Sequence, residues 1–164
     1  MKLAASLANE RPGTPAELAD RCRAFGLELE SPVTAEDVER VHAVLDAWEQ
    51  VVDAPGERRR AELVNGMLAG SAAHPRLTDH AGSGWHLHYR DDDQPPGAVL
   101  AALISVGTAL HLVGRGMHRL RRCAVADCAT IFADTSRTGR QRYCSQRCAN
   151  RDAVRRHRAA RARG

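Results

Sequence analysis

Lysine and aromatic residues are nearly missing from this chain of 164 residues: one Lys stands among 24 cationic side chains, and Trp, Tyr and Phe occur twice each. So few rings leave little for unpaired bases to stack on, which weighs against recognition of single-stranded RNA by the C-terminal segment. No apolar run is read as long enough to cross a bilayer. The start, MKLAASLANERPG, has one Lys and a short apolar stretch before Glu10 and Arg11, too short for a secretory signal. The expectation is a soluble, cytoplasmic, nucleoid-associated protein with no membrane partner. Also missing are a paired nucleophile and base, any internal repeat, and the ligand spacing that would make a calcium loop of Asp91, Asp92 and Asp93. An enzyme is therefore the weakest functional class.

The charges that are present sit unevenly. Residues 1 to 114 hold 10 Lys and Arg against 17 Asp and Glu, a balance of −7, and residues 115 to 164 hold 14 Arg against 3 Asp, a balance of +11. The net +4 thus conceals an acidic body joined to a basic module, whose partner should be a polyanion. Biased base composition explains Arg in place of Lys but not the gathering at one end.

Four of the five cysteines form two close pairs inside that basic module, Cys123 with Cys128 and Cys144 with Cys148. Each pair can grip an ion from one turn of chain, and the fifteen residues between the pairs can fold them into one tetrahedral sulfur shell. Four thiolates without an oxygen ligand favour one zinc, and a full shell leaves no position for a reactive water, so the site is structural. Disulfides, an iron–sulfur site and unrelated buried thiols are the competing readings. Cys22 lies apart and reads as a helix core residue.

In the body, Thr14 and Pro15 open a helix to about Phe25, with Leu18, Cys22 and Phe25 inward, and Gly26 ends it. Thr34 caps a stronger helix with Val38, Val41, Leu45, Trp48 and Val52 on one stripe. A third helix carries Leu63, Val64, Met67 and Leu68 and ends near Gly70, its Arg58-Arg59-Arg60 run forming a solvated face. The alternation of Trp85, Leu87 and Tyr89 with His86 and His88, after the turn Ala81-Gly82-Ser83-Gly84, predicts a β-hairpin over 76–90. His80, His86 and His88 there are surface imidazoles, with ligand binding the lesser reading. A long apolar helix from Pro96 to about Leu120 is the centre of the body.

The fold class is mainly α with small β. A helical N-terminal domain with one hairpin, residues 1–118, precedes a treble-clef-like four-cysteine finger with a basic C-terminal helix, residues 119–164. In the finger, Ile131 and Phe132 are expected to pair with Gln141 to Tyr143 across the turn Thr135 to Gly139, with Phe132 and Tyr143 as an apolar lid and Asp134 and Ser136 holding the turn. The second cysteine pair should open a helix that carries Arg147, Arg151, Arg155 and Arg158 on one face and Asn150 at its edge. Arg on such a face can hold phosphate or read guanine and Asn can read adenine, and Arg142 joins the set beside Cys144.

The segments CAVADC, F-x-D-x-S from Phe132 to Ser136, RYC from Arg142 to Cys144 and CANR from Cys148 to Arg151 resemble the CGNR zinc finger family. The acidic body is similar to the ABATE domain that precedes this finger in bacterial stress-response transcription regulators. The resemblance implies DNA binding by the finger, with double-stranded DNA as partner. It departs from the family at Ala149, where the signature tetrapeptide has glycine, and in a second cysteine pair one residue tighter than the commoner spacing. The reading is a zinc-dependent DNA-binding transcription regulator whose N-terminal domain senses a small-molecule or protein signal or assembles a homodimer. An RNA-binding or protein-interaction module with a structural zinc is the alternative.

Overall fold

A computed structural model describes residues 1–79 and 84–162. Their elements are α1 (Lys2–Asn9), α2 (Pro15–Ala24), α3 (Ala35–Asp53), α4 (Glu57–Ser71), β1 (Arg76–Thr78), β2 (His86–His88), α5 (Pro96–Arg115), β3 (Leu120–Arg122), β4 (Ile131–Ala133) and α6 (Gln146–Arg161). The fold class is the expected one: helices around one core, with two small antiparallel hairpins, β1–β2 and β3–β4.

Local chemistry sets the helix starts. Thr14 Oγ1 accepts from the Glu17 N–H, and Thr34 and Asp37 form a reciprocal capping box at the head of α3. The α3 stripe is buried as the periodicity predicts, with Val41, Leu45 and Trp48 fully enclosed. Trp48 Nε1 donates to Thr108 Oγ1 of α5 at 2.9 Å, and that hydroxyl donates to the Ile104 carbonyl at 2.6 Å, so no polar atom of the pair is stranded. Leu18 and Cys22 are enclosed too, and burial pushes the Cys22 thiol up to about 11.

Asp37 also fixes where α5 meets α3. Its carboxylate accepts from Gly97 N–H at 2.7 Å, from Thr34 N–H at 2.8 Å and from the Thr34 hydroxyl at 2.8 Å. A Cβ on Gly97 would lie 2.8 Å from the Asp37 Cα, so the close approach requires glycine. Burial alone would raise the Asp37 carboxyl, but these hydrogen bonds outweigh it and hold the group below the usual carboxylate range. Its stabilisation is therefore present above the unfolded-chain value and fades as pH falls through the folded one. Asp37→Ala should cost about 2 kcal/mol at neutral pH and flatten that acid dependence. A lowered denaturation midpoint at unchanged slope is the check, and a variant with wild-type acid sensitivity would refute the assignment.

Four expectations need correction, and one element is added to them. α1 is a helix with Ala4, Ala5 and Leu7 buried, where the sequence shows only a short apolar run. Phe25 is 42% exposed, because α2 stops at Ala24 and the chain turns away at Gly26. Of the Arg58-Arg59-Arg60 run, Arg58 and Arg59 are exposed as expected but Arg60 is half-buried: it donates to the carbonyls of Val51 and Val52 at the end of α3, and to that of Met117. α5 ends at Arg115 rather than Leu120, since Gly116 takes a positive φ of 117°. This helix is also long and apolar enough to cross a membrane, although half of it is buried inside the fold and the rest is taken up below.

The finger hairpin differs as well. β4 pairs with β3, in the register Leu120↔Ala133, Arg121↔Phe132 and Arg122↔Ile131, and residues 141–143 form no strand. Periodicity does not predict β3, because Leu120-Arg121-Arg122 reads as the end of a helix. Leu120 and Ile131 enter the same core as α1 and α3. The Asn9 side chain completes the docking by pairing with both the N–H and the carbonyl of Ile131, at 2.7 and 2.8 Å. Arg122 then bridges to Asp53 at 2.7 Å and Glu49 at 3.0 Å on α3.

Candidate metal centre and basic helix

Short local bonds bring the four cysteines together. The Cys128 N–H closes a tight turn on the Val125 carbonyl, and the Ala124 N–H donates to the Arg142 carbonyl, drawing the segment before Cys144 against the first pair. The Cys144 N–H points at the Cys123 sulfur, 3.5 Å away. Ser145 Oγ caps α6 by accepting from the Cys148 N–H, which sets the last sulfur in the first helical turn. All four sulfurs lie within 4.8 Å of one another. Zn–S bonds of about 2.3 Å in a tetrahedron imply sulfurs about 3.8 Å apart. The separations are 3.8 Å for Cys128–Cys144, 3.6 Å for Cys144–Cys148 and 3.8 Å for Cys148–Cys128.

The electrostatics agree with that fit. Hydrogen bonding to Thr130 brings the Cys128 thiol down to about 6, whereas burial and then the neighbouring sulfurs push Cys144 up to about 12. Four sulfurs this close cannot all ionise unless a cation sits among them. The donor set fits one structural zinc, which on binding would supply folding energy and no open coordination position. Among the described residues this is the single group of three or more metal-ligating side chains.

The loop after β4 is held by Asp134, a fully buried carboxylate. It accepts from the Ser136 N–H at 2.9 Å, the Ser136 hydroxyl at 2.6 Å and the Gln141 N–H at 3.1 Å. Arg119 lies over the same loop and donates to the Ser136 carbonyl. Gly139, at a positive φ of 68°, leaves room for that guanidinium. The F-x-D-x-S stretch is thus a turn lock, and it presents Arg137, Arg140 and Arg142 outward.

Past Cys148, α6 stands almost free of the body, with residues 153–162 exposed. Arg147, Asn150, Arg151, Arg155 and Arg158 recur along one face, and Val154, half exposed, lies among Asn150, Arg151, Arg155 and Arg158. The arginines differ in their freedom. Arg151 pairs with the exposed Asp127 at 3.2 Å. Arg155 and Arg156 both pair with the buried Asp152, which also accepts from the Tyr143 hydroxyl at 2.7 Å. That hydroxyl first and then the arginines hold the Asp152 carboxyl low. Arg142, Arg147 and Arg158 make no ion pair among the described residues, and Arg142 lies over the Tyr143 ring. Sequence reasoning missed Asp152 and Val154; the signal was a lone acid and a lone large aliphatic residue inside an Arg-rich helix. Ala149 is helical, so the departure from glycine there suits the fold.

The hairpin histidines give less. His86 Nε2 lies 3.1 Å from His88 Nε2, and His86 Nδ1 lies 2.7 Å from the Gly84 carbonyl, while His80 and most of the predicted turn fall outside the described residues.

A helical body whose core takes in a four-cysteine module with a protruding basic helix defines a zinc-finger protein of two joined parts. Family comparison agrees with both parts. The model of the ABATE family, described as a putative stress-induced transcription regulator, matches residues 2–139, and that of the CGNR zinc finger matches residues 119–161. The chain belongs to the ABATE family and carries a CGNR zinc finger at its C-terminal end. No curated protein matches it. The two matched ranges overlap across 119–139, the stretch in which β3 and β4 serve the body core and the finger together.

Proposed function

We propose that the protein is a DNA-binding transcription regulator of the cytoplasmic nucleoid, in which the zinc shell fixes the root of α6 and the outer face of that helix docks on duplex DNA. The observation that carries the reading is a protruding helix with one continuous cationic face, rooted by two metal ligands, Cys144 just before its cap and Cys148 in its first turn. Arg142, Arg147 and Arg158 are the phosphate contacts, having no carboxylate to give up. Arg151 exchanges a solvent-exposed pair with Asp127, worth little, for a phosphate or a base edge, beside Asn150 and with Val154 placed for a thymine methyl. Arg155 stays tied to Asp152 and orients the helix. The N-terminal domain senses or assembles.

Titrating the zinc-loaded protein with duplex DNA at several salt concentrations tests this. Arg147→Ala and Arg158→Ala should each reduce the log–log salt slope by about 0.9, uniformly across sequences. Arg151→Ala or Asn150→Ala should in addition change the preference among duplexes. Equal affinity for duplex DNA, single-stranded RNA and an acidic polypeptide at matched salt would overturn the proposal.

A further inference from the structure

α5 has two apolar faces. Leu100, Ala101, Ile104, Ser105, Thr108 and Leu112 point into the core. At 3.6 residues per turn, Val99, Leu103, Val106, Leu110 and Val113 fall on the opposite side, and their spacing of 4, 3, 4 and 3 residues is that of a helix–helix seam. A surface helix should be polar there. Instead Leu103 is 47% exposed, Leu110 61% and Val113 85%, and no charged residue occurs from Gln94 to Gly114.

The patch extends beyond the helix. A cavity of about 370 Å³ borders the seam, with Leu27, Leu29 and Leu87 facing Leu103, Val106 and Leu110 across it. Leu87 pairs in register with Leu77, and Trp85, two residues earlier, shares that face of the hairpin. Leu77 and Trp85 are also mostly exposed. Covering these side chains with the α5 seam removes on the order of 800 Å², what each partner of a standard stable interface gives up.

We infer that this face binds a second copy of the chain, α5 against α5 about a two-fold axis, with side chains of each copy seated in the cavity beside the other's seam. The area matches what a stable dimer needs, and a heptad-spaced seam is self-complementary under two-fold rotation. Charge points the same way. Two bodies each near −7 can meet along the uncharged α5 seam, whereas the cavity beside it, with Glu28 and Glu30 against the single Arg90, offers a polyanion or an acidic peptide no net positive charge. This inference stands apart from DNA binding.

Sedimentation velocity on the full zinc-loaded chain provides the test. The wild type is expected to be a dimer at micromolar concentration, unaffected between 0.1 and 0.5 M salt, about the range over which exposed charges become screened. Leu110→Glu should weaken it at least about a hundredfold, since the substitution counts twice across the axis and buries an unpaired charge. Val113→Glu, at a side chain too exposed to matter for folding, should act in the same direction, and Val154→Glu on α6 should leave the dimer intact. A wild type that stays monomeric, or a dimer that dissociates in salt and ignores both α5 variants, would overturn the inference. The second result would point to acidic body meeting basic helix between copies.

Discussion

Cys144→Ser is expected to take the zinc content from about one per chain to none, and to unfold residues 123–152 while α1 to α5 remain helical. Structural zinc in small finger modules contributes about 10–16 kcal/mol of apparent binding energy, which is folding energy for a module of that size. The core under the shell is small, Val125 and the cysteines with Tyr143 packed against them, so nothing replaces the metal. The body has its own stock of buried side chains, Leu7, Leu18, Val41, Leu45, Trp48 and Leu100 among them. The β3–β4 hairpin should divide by position. Leu120 and Ile131 are held by the body core and Asn9 and should keep slow amide exchange, while Cys123 onward exchanges freely. Zinc at full content in the variant would sink the four-cysteine shell, and loss of all helical signal on chelation would show that the body depends on the metal.

That split also explains which features were legible in the sequence. The metal ligands were, because thiolate chemistry imposes spacing that survives without knowledge of the fold. The α3 stripe and its capping box were too, since period and cap act within one helix. β3 was not: three residues that follow α5, two of them Arg, carry no alternation, and they become a strand only because Ile131–Ala133 pairs with them beside α1. Arg60 stands in a basic run and Arg122 beside Arg121, and nothing local marks their partners: the carbonyls at the end of α3 and of Met117 for Arg60, the Glu49–Asp53 edge 69 to 73 residues away for Arg122. The arginines of α6 were placed on one face correctly by periodicity. Which of them is tied down divides in two: Asp152 reaches Arg155 and Arg156 within one turn of α6, a local pairing that the sequence carries, whereas Asp127 reaches Arg151 only through tertiary placement.

The exposed face of α5 shows the converse limit. Its apolar composition was read as a central helix, and the inner half is central. Hydropathy alone does not distinguish a helix buried on all sides from one that is buried on one side and unpartnered on the other. The exposure of Leu103, Leu110 and Val113 makes that distinction, and it turns an expectation about the core into one about assembly.

Asp134→Ala should be the most damaging single substitution outside the metal shell, destabilising the finger by about 3–5 kcal/mol. The carboxylate is fully buried and answers the Ser136 N–H and hydroxyl and the Gln141 N–H, with Arg119 3.9 Å away. Burial by itself would raise its pKa, but the Ser136 and Gln141 hydrogen bonds and the Arg119 charge outweigh that and keep it low. The variant leaves two backbone N–H groups without an acceptor and a largely buried guanidinium beside them without its counter-charge. Asp134→Asn keeps the volume but turns an N–H₂ toward donors at one of the two oxygen positions, so it should recover only part of the loss. Amide exchange across 135–142 should accelerate strongly in both variants, alanine more than asparagine, while α3 and α4 stay protected. Since this loop carries the chain from β4 to Cys144, zinc should also leave the alanine variant at lower chelator concentration. If both variants unfold at the wild-type midpoint with unchanged exchange in 135–142, the turn is held by Arg119 and Gly139 alone and the carboxylate is incidental.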